Sequence, residues 1–307
     1  MSKKIIFMGT PSIAEIYLES LLEFKYNVIS VFTQPPRKKN RGMQLDVSAI
    51  EKLAKKNNIT VHSPDRLDDN SFNLIESYKP DLIIVMAYGL IIPKNILNIP
   101  TFGCINIHLS LLPRWRGASP IEYALINDDN ETGVSIIKLI EKLDAGPIID
   151  SIKVQINENS NKDELMEKLN KIGSKLLVDT LPDLFLKKLK NIKNQNDNEA
   201  TYSHKINTTM RKINFNNSSK NIFNQIRAYA KKPGAWFVYK KERIKIIQSL
   251  KTKTKGRPGV ILNEKFAIGC NDGSITPVYL QREGKKIMHI DELLRGFRFK
   301  IGDKLNE

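Results

Sequence analysis

The chain has 307 residues, 41% of them hydrophobic, with 49 Lys and Arg against 33 Asp and Glu, a formal charge of +16. That is a globular composition, long enough for two domains and a sizeable core. Cys104, Cys270 and four scattered histidines show no metal-ligand spacing, which argues against a disulfide scaffold or a structural zinc site and fits a reducing compartment.

The charge is uneven. Residues 1–189 hold 24 Lys/Arg and 23 Asp/Glu, a net of +1, whereas residues 190–307 hold 25 and 10, a net of +15. A coding bias towards lysine would act throughout, yet here the carboxylates thin out in one part only. Such a basic module suggests a polyanion partner bound with counterion release. The apolar run at the N-terminus is too short for a signal peptide, and the longest one, Leu82 to Pro93, falls short of a bilayer. A soluble, cytoplasmic protein is expected.

Lys4–Met8 reads as a buried strand, turning at Gly9–Ser12 into a helix from Ile13 to about Lys25, and Val28–Thr33 as a second strand. This βαβ opening predicts a parallel sheet. It lacks G-x-G-x-x-G, so a dinucleotide is not supported. Gln34–Asp46 carries Arg37, Lys38, Lys39, Arg41 and Gly42 without a hydrophobic period and reads as a loop, either functional or merely solvated. Ser48–Asn57 reads as a helix capped by Ser48, followed by a short strand near Thr60–His62 and a helix near Phe72–Tyr78. Leu82–Met86 has the continuous apolar look of a central parallel strand. Tyr88, just past its end, either lines a pocket or packs as an ordinary aromatic.

Cys104–His108 alternates as a strand, with Cys104, Asn106 and His108 on one side, and runs into a Pro/Gly-rich turn from Leu112 to Ala118. Open α/β sheets place ligands at such strand ends. A further strand-like run, Val134–Leu139, is followed by Leu143-Asp144-Ala145-Gly146-Pro147, which sets an acid in a turn. Asn, His and Asp together polarise a carbonyl, move a proton and hold an imidazole. Each also has a plainer reading: a strand-end histidine, a turn-forming asparagine and an ordinary turn. Spacing does not separate the two.

Pro120–Ile126 looks helical, and Gly133–Leu139 and Ile148–Ile156 look like strands. Lys162–Lys188 is an amphipathic helix, with Leu165, Leu169, Ile172, Leu176 and Leu177 on its apolar side. It closes a first domain, residues 1–188, and the polar stretch 189–206 reads as a linker. In residues 207–307 short strand-like runs (Trp236–Tyr239, Arg243–Gln248, Gly259–Leu262, Phe266–Cys270, Ile275–Leu280) alternate with turns as in a small barrel. A short helix is expected at His289–Leu294.

The letters themselves go further than the spacing. Asn106-Ile107-His108, Ser110-Leu111-Leu112-Pro113, Arg116-Gly117-Ala118 and Asp144-Ala145-Gly146 resemble the signature of the 10-formyltetrahydrofolate-dependent formyltransferases. Ile6–Pro11, Thr33-Gln34-Pro35, Ala87–Pro93, Ala200-Thr201-Tyr202 and Lys232–Trp236 are similar to the branch acting on methionyl-tRNA, so the resemblance spans the chain. Leu109 departs from it, since the family usually has Gly or Ala after the histidine.

The resemblance implies an α/β, Rossmann-like formyltransferase domain with a mostly parallel sheet, followed by a small OB-like β-barrel. It implies 10-formyltetrahydrofolate as co-substrate, no metal, and a monomeric enzyme that formylates the amino group of initiator methionyl-tRNA. Asn106, His108 and Asp144 would be catalytic: the amide and the imidazole donate to the developing oxyanion, and the carboxylate orients the ring. Ser110, Leu111, Leu112 and Pro113, through backbone groups, and Tyr88 would bind folate. Arg37, Lys38, Lys39 and Arg41 would contact tRNA at its acceptor stem, and the basic barrel would bind the rest. Relatives acting on sugar nucleotides, ribonucleotides or water usually lack this loop and such a barrel. An RNA-binding protein on the same fold would not need the three polar residues.

Overall fold

The computed structural model describes residues 2–39 and 44–306. Its elements run β1 (Lys4–Gly9), α1 (Glu15–Glu23), β2 (Asn27–Phe32), β3 (Arg37–Lys39), β4 (Gln44–Asp46), α2 (Ala49–Lys56), β5 (Thr60–His62), α3 (Asp69–Tyr78), β6 (Leu82–Met86), α4 (Lys94–Leu97), β7 (Cys104–His108) and β8 (Arg116–Gly117). They continue as α5 (Pro120–Ile126), β9 (Glu131–Lys138), β10 (Ile148–Gln155), α6 (Lys162–Phe185), β11 (Tyr202–Ser203), α7 (Ser219–Ala228), β12 (Ala235–Tyr239), β13 (Glu242–Thr252), β14 (Ile268–Gly269), β15 (Ser274–Arg282), β16 (Ile287–His289) and α8 (Ile290–Leu294). Two compact units result: residues 1–117, 132–154 and 167–202, and residues 118–131, 155–166 and 203–307. No helix among the described residues is long and apolar enough to cross a membrane.

The first unit is built on a seven-stranded sheet of order β10-β9-β7-β6-β1-β2-β5. From β7 to β5 neighbouring strands are parallel, and β9 turns antiparallel on β7. All five residues of β6 and all but the first of β1 are buried, which is why they read as continuous apolar runs. The chain leaves β1 towards β2 and β5, then returns to β6 and β7 on the other side. Ligands of open α/β sheets sit at such a reversal, beyond the carboxyl ends of the strands. Asn106 and His108 lie at the end of β7, beside it. Ser48 caps α2 as expected, its Oγ accepting the Glu51 N–H at 3.0 Å.

Two expectations are corrected here. Gln34–Asp46 is not simply a loop: β3 and β4 form an antiparallel pair with Arg37 opposite Asp46 and Lys39 opposite Gln44. Backbone pairing needs no hydrophobic alternation, so a polar ribbon leaves no period to read. Arg41 lies outside the described residues. In the second unit, the runs Gly259–Leu262 and Phe266–Cys270 yield only the two-residue β14 and isolated bridges from Val260 to Lys304 and from Ile261 to Ile268. Gly259 at φ 76 and Phe266 at φ 60 break the extended backbone there.

The second unit carries an antiparallel sheet of order β12-β13-β15-β14, with β16 on β15. It curls into a half-barrel, the OB-like part, and the pairing of β13 with β15 shifts register near Gln248, a bulge of the kind that bends strands. Phe237, Ile244, Ile246, Phe266, Ile268, Ile275 and Leu280 fill the core. Residues 118–131 and 155–166 belong to this unit partly through Arg227 of α7. Its nearly buried guanidinium reaches the Asp128 carboxylate and the carbonyls of Leu125 and Ser160 at 3.3–3.4 Å.

Candidate active site

Asn106 pairs in register with Val85 of β6 and Ile137 of β9, which fixes its backbone between two ladders. Its amide is half-buried and has no hydrogen-bond partner among the described residues. Cys104, two residues earlier, packs into the cluster of Ile6, Met8, Ile83 and Val85, and burial pushes its thiol up to about 12. It is a core residue, not a nucleophile.

His108 is 6% exposed, and its Nε2 lies 2.9 Å from the Trp115 carbonyl oxygen. A carbonyl only accepts, so Nε2 carries the proton of that bond and Nδ1 is the nitrogen left over. Nδ1 lies 3.7 Å from Asp144 Oδ2, too long for a hydrogen bond and an ion pair only when the ring carries a second proton. Oδ2 instead accepts the Gly117 N–H at 2.9 Å. Asp144 is itself buried and sits at φ 48, a conformation Asp tolerates better than most residues. Two residues on, a Cβ at Gly146 would stand 1.7 Å from the Lys138 carbonyl oxygen, so only glycine lets this turn fold back on the end of β9.

The turn from Ser110 to Pro113 lies against the same site, but its polar groups are largely occupied. Ser135 Oγ donates to Ser110 O at 2.7 Å and accepts the Leu112 N–H at 3.2 Å. Leu111 O accepts the Arg114 N–H, and Pro113 O accepts the Thr201 N–H. Internal bonds thus take up Ser110 O, Leu111 O, the Leu112 N–H and Pro113 O and brace the turn. Leu109, the residue that departs from the family, is 6% exposed and belongs to the core.

Tyr88 is packed at the end of β6. It is 2% exposed inside the cluster with Ile6, Met8 and Phe32, and burial pushes its phenol well up. Its carbonyl receives Thr10 Oγ1 at 2.9 Å and Gln34 Nε2 at 3.0 Å, tying together the motifs around Thr10 and Thr33. Exposed apolar side chains flank these segments: Ile91 is 91% exposed and Leu143 64%, with Ile140 also exposed. A 3.0 Å ion pair between Lys94 and Glu141 joins the two loops that carry them.

A different cluster marks the second unit. Trp236 pairs with Lys245 across β12 and β13 and bridges to Lys212. The Arg243 guanidinium lies 4.2 Å from the Trp236 ring centre and Lys212 Nζ 6.0 Å. Burial, then the charges of Arg211, Arg243 and Lys232, hold the Lys245 ammonium below the ordinary lysine range. Among the described residues no group of three or more His, Cys, Asp or Glu is placed to hold a metal ion.

Comparison with known proteins agrees across the whole chain. Residues 3–181 match the formyl transferase model and residues 205–298 the formyl transferase C-terminal domain. A methionyl-tRNA formyltransferase from Pelagibacter ubique is 38% identical over 308 residues, covering 99% of both chains. One from Thermodesulfovibrio yellowstonii is 39% identical over 305 residues, covering 98% of both. Among solved structures, a sugar 3N-formyl transferase seen in the presence of dTDP and 5-N-formyl-THF superposes with a TM-score of 0.68 at 23% identity, over 93% of this chain and all of that one. An N-formyltransferase from Helicobacter canadensis in complex with folinic acid and dTDP-3-aminofucose gives 0.67 at 25% identity, over 92% of this chain and 100% of that one. With both halves matched in order and relatives this similar along its full length, the chain belongs to the formyl transferase family.

Proposed function

We propose that the chain transfers the formyl group of 10-formyltetrahydrofolate to the free amino group of initiator methionyl-tRNA, a cytoplasmic step of translation initiation. The observation that carries the chemistry is the setting of His108. Its ring is held between the Trp115 carbonyl and the Asp144 carboxylate, two residues along β7 from an unpaired amide. The amino group attacks the formyl carbon, and the carbonyl oxygen gains negative charge in the tetrahedral intermediate. The Asn106 amide donates to that oxygen. The Nδ1 side of His108 exchanges the proton released by the amine, and Asp144 stabilises positive charge on the ring. Collapse of the intermediate breaks the bond to the folate nitrogen, which takes up a proton.

The substrate follows from the relatives' names and from charge. A net of +15 in residues 190–307 suits a polyanion, and Arg211, Lys212, Lys232, Arg243 and Lys245 are its proposed phosphate contacts. Arg37, Lys38, Lys39 and Arg41 form the second basic segment, assigned to the acceptor stem. On the folate side, Ser110–Pro113, through the backbone groups their internal bonds leave open, and Tyr88 are assigned to the co-substrate, with Ile91, Ile140 and Leu143 as an apolar rim.

The test offers 10-formyltetrahydrofolate with charged initiator tRNA, charged elongator tRNA, a dTDP-amino sugar, or no acceptor. Formyl transfer to the initiator alone is expected. Transfer to the sugar, or release of formate at the same rate without acceptor, would overturn the assignment.

A further inference from the structure

Gln195 and Thr201 lie in the polar stretch between α6 and β11, and each reaches His108 through one intermediate. On one side, Thr201 Oγ1 accepts the Trp115 N–H at 2.9 Å, while the Thr201 backbone bonds Pro113 O at 3.3 Å and the Arg116 N–H at 2.9 Å. Three bonds therefore fix the turn whose Trp115 carbonyl receives His108 Nε2. On the other side, Gln195 Nε2 donates to both Asp144 O and Gly146 O at 2.8 Å, gripping the turn that presents the Asp144 carboxylate. The amide oxygen of Gln195 is held in turn by Arg116 Nε at 3.0 Å. Arg116 is fully buried and bonds Asp197 at 2.8 Å, and Asp197 pairs with Lys142.

We infer that Gln195 and Thr201 are positioning residues for formyl transfer, setting the tautomer and tilt of His108 from its two sides. This rests on the assignment of His108 and Asp144 to the reaction. The argument is geometric. Nε2 stays protonated only while the Trp115 carbonyl stays in line, and that carbonyl belongs to a residue at φ 62 within an irregular turn. Asp144 at φ 48 is likewise held by its surroundings rather than by regular structure. Without the strap, each turn loses the bonds that oppose its relaxation, and the imidazole loses its register with the substrate amine. A purely structural role predicts something else: about 1 kcal/mol of stability per lost hydrogen bond, and unchanged turnover in the protein that remains folded.

The test uses the full chain with Thr201→Val, Thr201→Ser and Gln195→Met, read by single-turnover formylation alongside melting temperature. Thr201→Val and Gln195→Met are expected to lower kcat roughly ten-fold or more, with KM for folate and tRNA within about two-fold. Thr201→Ser, which keeps the acceptor, is expected to restore most of the rate. In a His108→Ala background neither change should lower the residual rate further, because both act through that ring. Unchanged kcat with a lowered melting temperature would overturn the inference, as would losses that multiply in the His108→Ala background. If Thr201→Val does not fold, Gln195→Met carries the same measurement. Wild-type rates in His108→Ala and Asp144→Asn would instead defeat the reading of the site itself, so the two failures are distinguishable.

Discussion

At the end of β7, charge is answered locally: Asp144 takes the Gly117 N–H, and Arg116 reaches Gln195 and Asp197. On the face of β12 and β13 around Trp236, the charges acting on Lys245 are all positive. The first region is stiffened by internal bonds, while the Asn106 amide has no hydrogen-bond partner among the described residues. The second carries mutual repulsion that a polyanion would relieve. Chemistry on a small group asks for placement fixed in advance, because dipoles already aimed at the developing charge spare the free-energy cost of reorienting them in the transition state. Capture of a nucleic acid asks for positive potential, which internal ion pairs would cancel.

The largest expected effect breaks the first region alone. Asn106→Ala and His108→Ala should each lower turnover on the order of 100-fold or more, with tRNA affinity intact, as seen by steady-state kinetics and filter binding. Next, Arg243→Ala combined with Lys245→Ala should weaken tRNA binding roughly ten-fold at low salt and flatten the log–log salt dependence by about 1 to 2. Folate KM should not move. Equal damage to both substrates would erase the contrast between the two regions. A smaller change is expected from Leu143→Ser, which should raise folate KM by about five-fold through lost apolar burial and leave tRNA KM alone.

The smallest effect concerns pH. Burial holds His62 below the ordinary histidine range, with its Nε2 2.8 Å from Tyr78 Oη. The folded state thus binds this proton less readily than the unfolded chain, so the associated stability is present above about pH 6.5 and lost as pH falls below it. Melting curves between pH 7 and 5 should show a shallower decline for His62→Gln than for the unaltered protein.

Much of this was legible in the sequence for identifiable reasons. The buried strands β1 and β6 announce themselves by composition and β7 by alternation, and Asn106, His108 and Asp144 were singled out by their letters within a resemblance spanning the chain. The partner that fixes the tautomer of His108 was not legible, because it is a backbone carbonyl and any residue at position 115 supplies one. Thr201 was visible in the Ala200-Thr201-Tyr202 motif but without a role, and Gln195 stayed hidden in a stretch whose polar composition reads as a tether. Tyr88 kept two readings apart from the resemblance, since a strand-end aromatic looks the same whether it faces a ligand or the core. The cations around Trp236 were countable as charge, but their convergence needed the pairing of β12 with β13.

Burial of the Arg116 side chain has a consequence for anyone cutting this protein into pieces. A fragment ending at residue 188 keeps the three signature residues and the whole parallel sheet. It would nevertheless strand a guanidinium in the interior without Gln195 and Asp197, and leave the Trp115 turn without Thr201. Such a fragment should dissolve and fold poorly, whereas one extended to residue 202 retains all three.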